Sequence, residues 1–105
     1  MQYHTFTMLA FGLALSVASS AVRADEKVEY GQYLSGSCVT CHQLSGADNG
    51  IPAIVGWDKE AFVEVLNSYK TKERENKAMQ VIAVGLSKEE MEALAAYFGS
   101  LKPKE

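Results

Sequence analysis

The sequence predicts a small all-α fold of three main helices joined by long loops. Three observations carry that expectation. Two segments place apolar residues at helical spacing behind a good N-terminal cap, no run alternates apolar and polar residues as a half-buried strand does, and two extended stretches rich in glycine or charge separate the helical patterns. At 105 residues the chain holds one domain, and its 48% apolar content is that of a globular protein.

The chain opens with an apolar run, Met8 to Ala18, followed by the small residues of Ser19-Ser20-Ala21-Val22-Arg23-Ala24. The pattern predicts a secretory signal peptide over residues 1–24, cleaved after Ala24, with 25–105 as the folded domain. A membrane anchor needs about 20 apolar residues, more than this run supplies. The first helix is expected around 26–37, where Tyr30, Leu34 and Cys38 form an i, i+4, i+8 row beside Gly31. Gly31 costs helix stability, so it reads either as a close approach of another helix or as a tolerated surface glycine.

The second helix is expected to begin after Asp58 as N-cap, with Trp57 and Phe62 in the positions of a hydrophobic staple. Phe62, Val65, Leu66 and Tyr69 then make one apolar face, opposite Lys59, Glu60, Glu64 and Asn67. The third helix has a capping box, Ser87 with Glu90, and a staple pair, Leu86 with Met91. Its stripe is Met91, Leu94, Ala95 and Phe98, and Gly99 followed by Pro103 supplies the stop. Gly36 to Gly56 reads as one long loop. Lys70 to Val84 reads as the other, with at most a short helical turn at Met79 to Ala83.

The formal charge is −3. Removal of residues 1–24 takes Arg23 with it and leaves −4. A nucleic-acid binder is excluded for want of a basic excess, and no second hydrophobic span is available to hold the mature protein in a membrane.

Cys38-Val39-Thr40-Cys41-His42 carries the chemistry. Two thiols and an imidazole at this spacing suit covalent attachment of one haem, with thioether bonds to its vinyl groups and His42 as iron ligand. An exported pair of cysteines also permits a disulfide. A thioredoxin-like pair sits at a strand-to-helix junction, which this pattern lacks. A structural zinc site needs four ligands, and after residue 24 the chain offers only His42 and these two cysteines. Haem also explains how a domain of about 80 residues is stabilised, since cores this small give only ~3 to 5 kcal/mol unaided. The apo-protein is therefore expected to be largely unfolded.

The sixth ligand decides what the iron can do, and the candidates beyond residue 24 are Met79 and Met91. Met91 lies on the apolar face of a capped helix and reads as core. Met79 follows the polar stretch Lys72 to Lys77 in a segment able to fold over a haem face, with a gap-filling core role as its alternative. Ligation by His42 and Met79 raises the reduction potential and closes both axial positions, which suits electron transfer. If Met79 is unbound, a five-coordinate haem sensor or ligand-binding protein follows instead. Ile51-Pro52 offers a carbonyl for the free N–H of His42, or simply shapes the loop. Trp57 and Tyr69 are better read as packing residues than as propionate partners. Lys70, Lys72, Arg74 and Lys77 form a basic cluster that would steer an acidic partner, although Glu73 and Glu75 interleave it as in any solvated segment.

With Gly-Ile-Pro-Ala-Ile-Val-Gly at 50–56, Phe-Val-Glu-Val-Leu-Asn-Ser-Tyr-Lys at 62–70, Asn-Lys-Ala-Met-Gln-Val-Ile-Ala-Val-Gly-Leu-Ser at 76–87 and Leu-Ala-Ala-Tyr-Phe at 94–98, the chain resembles the class I c-type cytochromes. Within them it is similar to the cytochrome subunit of flavocytochrome c sulfide dehydrogenases and to related single-haem carriers. That resemblance implies one covalent haem c, attached at Cys38 and Cys41 and ligated by His42 and Met79. It further implies first and last helices crossing with Gly31 near Leu94 and Tyr97, a periplasmic location, and no catalysis by this chain itself. The implied partner is an FAD-containing sulfide dehydrogenase subunit, with a free carrier feeding an oxidase or reductase as the alternative.

Overall fold

The computed structural model describes residues 2, 3, 5, 12 and 19–103. The apolar run at Met8–Ala18 falls outside them apart from Gly12, so the leader reading has no structural counterpart here. The described chain is all-helical: α1 (Ser19–Leu34), α2 (Gly36–Val39), α3 (Lys59–Lys70), α4 (Lys77–Val84) and α5 (Lys88–Ser100). Three of these are the expected main helices, and two correct the reading of the sequence.

The first correction concerns 26–37. Instead of one helix through Cys38, α1 ends at Leu34 and a short α2 carries the cysteine. Ser35-Gly36-Ser37 are poor helix formers, and the Ser35 hydroxyl donates to the Gln32 carbonyl at 2.6 Å, competing with the backbone ladder. The buried face differs as well. Gly31 and Ser35 are buried with Val28 and Leu34 beside them, whereas Tyr30 is 42% exposed.

The second correction concerns Lys70–Val84, which holds α4 rather than a single turn. Asn76 caps it, its side chain accepting from the Met79 N–H at 3.1 Å. Ala78, Met79, Gln80 and Ala83 are residues that favour helix, and Gly85 ends the run.

Elsewhere the N-terminal caps fall as expected, while α5 runs through Gly99, read as its stop, to Ser100. Asp58 accepts from the Ala61 N–H at 3.1 Å, and Trp57 meets Phe62 edge to face with ring centres 6.2 Å apart. At α5 both bonds of the capping box are made, Ser87 N–H to Glu90 at 2.9 Å and Glu90 N–H to Ser87 at 3.1 Å. The Ser87 N–H given to its carboxylate is the largest influence holding the Glu90 carboxyl below its usual pKa.

The core joins α3 and α5: Phe62 and Leu66 pack with Met91, Leu94, Ala95 and Phe98, and the Phe62 and Phe98 rings stack at 5.7 Å. Against its other side lies α1, and Gly31 makes that approach possible. A Cβ there would sit 2.7 Å from the Tyr97 Cβ and nearer still to the Ala93 carbonyl. The atoms nearest to it thus belong to Ala93 and Tyr97, on the stretch of α5 that holds Leu94. Gly56, at φ +76°, donates its N–H to the Phe98 carbonyl at 2.8 Å, so the long loop is tied back onto α5.

Candidate haem site

Residues 38–42 form a single tight turn. The Cys41 and His42 N–H groups both donate to the Cys38 carbonyl, at 3.1 and 2.8 Å, and this folds the two thiols and the imidazole into one short stretch of surface. Both thiols are free. Cys38 is partly buried, and desolvation raises its pKa against a smaller opposing effect of a hydrogen bond with Ser37. It is held as the neutral thiol at neutral pH. Cys41 is exposed.

His42 is buried, and its Nδ1 lies 2.7 Å from the Pro52 carbonyl oxygen. A carbonyl only accepts, so Nδ1 carries the proton and the lone pair is left on Nε2. Of the two roles open to Ile51-Pro52, providing this acceptor is the one observed.

Across from this turn stands α4. The walls between them enclose a cavity of about 710 Å³, lined by Cys38, Cys41, His42 and Met79 among apolar and aromatic residues that include Ile54, Phe62, Leu66 and Leu94. Met91 does not reach it. That side chain is 2% exposed within the core and borders a different groove, between α3 and α5. The cavity therefore gathers all four predicted site residues and separates the two methionine candidates.

The donor set fits a haem. Two thiols stand beside an imidazole whose tautomer is fixed, a thioether lies on another wall, and the lining is apolar with few polar groups, as a large flat cofactor requires. Trp57 and Tyr69 also line this space. The Trp57 N–H is already given to the Ala53 carbonyl at 3.2 Å, in keeping with a packing role.

The predicted basic cluster is not a uniform patch. Lys70 turns inward, and its ammonium donates to the Leu86 carbonyl across the base of the 71–86 segment. The Arg74 guanidinium covers the Tyr69 ring, 5.7 Å from its centre, and Nε donates to the Ser68 hydroxyl at 3.3 Å. Neither role was visible in the sequence. The Asn76 cap, by contrast, had a local signal: an amide residue three positions before Met79 at the head of a helix-favouring run.

Among the described residues no helix is long and apolar enough to cross a membrane. The reduced recombinant cytochrome c4 of Pseudomonas stutzeri shares the fold, with TM-score 0.68 over 74% of this chain and 50% of that one at 23% identity. The cytochrome subunit of sulfide dehydrogenase from Chlorobaculum tepidum is 36% identical over 75 residues, covering 70% of this chain and 68% of that protein. The thiosulfate dehydrogenase electron acceptor of Thiomonas intermedia is 33% identical over 70 residues, 64% of this chain and 32% of its own length. A cytochrome c-552 of Acidithiobacillus ferridurans is 30% identical over 112 residues, 96% of this chain and 48% of that protein. The chain thus spans between a third and about two thirds of these curated relatives. The family model for cytochrome c matches residues 28–102, from α1 to just beyond α5. With the attachment motif at Cys38 and Cys41 and a cavity shaped for the cofactor, this chain belongs to the cytochrome c family and carries an attachment site for covalent haem c.

Proposed function

We propose that this chain is an exported electron carrier that accepts electrons, one at a time, from a sulfide-oxidising flavoprotein. Cys38 and Cys41 would hold the haem covalently, and His42 and Met79 would supply the nitrogen and sulfur ligands to its iron. The observation that carries the ligand assignment is the single cavity lined by both thiols, the Nδ1-protonated imidazole and the thioether. When bound there, haem supplies reversible one-electron chemistry at iron. The chain's own part is to bury the group, fix the His42 ring through Pro52, and close the remaining face with Met79. With His42 and Met79 both given to the iron, the protein would leave no open site for substrate, which favours electron transfer as its role.

Export is part of the proposal, with residues 1–24 as a leader removed after Ala24 and the periplasm as destination. Cleavage there would leave Asp25 and Glu26 at the exposed start of α1, where acidic residues complement the helix dipole. The sulfide partner is supported by the likeness to a sulfide dehydrogenase cytochrome subunit over most of the folded chain. A second reading, an electron acceptor for a thiosulfate-oxidising enzyme, is favoured by the relatives in Thiomonas intermedia and Stutzerimonas stutzeri that bear that name.

Intact mass of the protein, expressed with haem-maturation machinery, tests export and attachment together. The expected mass is that of residues 25–105 plus one haem; an unmodified dithiol or a retained leader overturns the corresponding part. Reduction by each purified dehydrogenase with its own substrate then separates the two donors. Reduction by neither removes both partner assignments.

A further inference from the structure

Met79 sits on an eight-residue helix whose outer face is solvent, and such a helix is marginal by itself. Something outside α4 must hold it against the cavity. Around it a chain of polar contacts converges on one residue. Lys72, at φ +65°, turns the backbone just past α3, and the Arg74 N–H returns to the Ser68 carbonyl at 3.1 Å. The Arg74 Nε donates to the Ser68 hydroxyl, which in turn donates to the Val65 carbonyl at 2.6 Å. The guanidinium lies over the Tyr69 ring, and that ring is a wall of the haem cavity. On its other side, the Arg74 carbonyl accepts from Gln80 Nε2 at 2.9 Å. Gln80 is the neighbour of Met79.

We propose that Arg74 is a positioning residue for Met79, clamping α4 to the end of α3 through Ser68 and Tyr69 on one side and Gln80 on the other. This rests on Met79 being the distal ligand. The alternative use of Arg74, as a positive charge that steers a partner, needs only the charge. The clamp needs the planar guanidinium, because an ammonium offers neither the directed Nε–H nor a flat face for the ring.

The test uses the full haem protein. Carbon monoxide competes with Met79 for ferrous iron, so its association rate reads how often α4 releases the thioether. The sulfur-to-iron charge-transfer band of the ferric protein reads ligation directly. One hydrogen bond of ordinary strength changes such an opening equilibrium about threefold to tenfold. The variants Arg74→Gln, Arg74→Lys and Gln80→Met are each expected to raise the carbon monoxide rate by that factor, and their charge-transfer band should melt below the far-UV helical signal. The double variant Arg74→Gln, Gln80→Met should be no worse than the more severe single, since the Arg74 side-chain contacts and the Gln80 bond to the Arg74 main-chain carbonyl act in series. A wild-type rate in Arg74→Lys, or effects that sum in the double variant, would overturn the clamp. If wild-type protein lacks the band, or Met79→Ala retains it, the ligand assignment itself falls, which is a separate outcome.

Discussion

The two sides of the haem cavity are built by different means. On one side Cys38, Cys41 and His42 share one tight turn, and a single carbonyl ten residues on fixes the imidazole. On the other, Met79 rides a short helix held by the Asn76 side chain and by the Gln80 side chain bonded to the Arg74 main-chain carbonyl, with Lys70 closing the segment at its base. The cysteine side is a property of local chain geometry and leaves little freedom once the cofactor is attached. The methionine side is a balance of weak contacts, each worth about 1 kcal/mol, and so is the side able to open.

The largest effect should come from removing the cysteine side altogether. Replacing both Cys38 and Cys41 by Ser is expected to abolish stable haem retention and with it most of the far-UV helical signal. A native-like spectrum without haem would show that the α3–α5 core stands unaided and that the two sides are not complementary halves of one fold. Met79→Ala should leave the haem attached and the helices intact while lowering the reduction potential by on the order of 100 mV, as loss of a thioether ligand does. Potentiometry checks it, and an unchanged potential would break the contrast from the other direction.

Gly31→Ala sharpens the comparison by disturbing what lies behind the cysteine turn. Its Cβ meets the Ala93 backbone, which cannot step aside as a flexible side chain would, so a loss of about 1 to 3 kcal/mol is expected. Thermal unfolding of the haem protein should show it, with carbon monoxide binding unaltered because α4 is not involved. Glu90 belongs to the methionine side, at the start of the helix that follows α4. Its pKa is lowered in the folded state, so the contribution of its carboxylate is present above the unfolded pKa and is lost as pH falls through the folded value. Glu90→Gln should therefore be the less stable protein at neutral pH, by a small margin that narrows below about pH 4.5. A margin independent of pH would mean that the charge has no part in the capping box.

What could be read in the sequence follows the same division. The pentapeptide, the Asp58 and Ser87 caps and the stripes of α3 and α5 depend on residues within one or two turns of each other, and each stands where its spacing put it. The end of α1 was missed because the Ser35 hydroxyl, more than hydrophobic periodicity, decides where that helix stops. The extent of α4 is hard to see in the sequence because the charged residues 72–77 mask Asn76 as a cap. Arg74 and Lys70 looked like surface charges since their partners, Tyr69 and Leu86, are fixed only once α3 and α4 have packed. The lone pair left on His42 Nε2 likewise rests on a carbonyl whose position a sequence can suggest but not locate.

The meeting of Gly31 with Ala93 joins the two ends of the domain, and it sets an order of events as well as a shape. Contacts so far apart in the chain form late, after the entropy of closing everything between them has been overcome. A polypeptide made from its N-terminus exposes Cys38 to His42 before α5 exists to enclose them. Because the chain without its cofactor is expected to stay largely unfolded, the thiols remain open to a modifying enzyme until haem is attached, and the closing of α5 onto α1 follows.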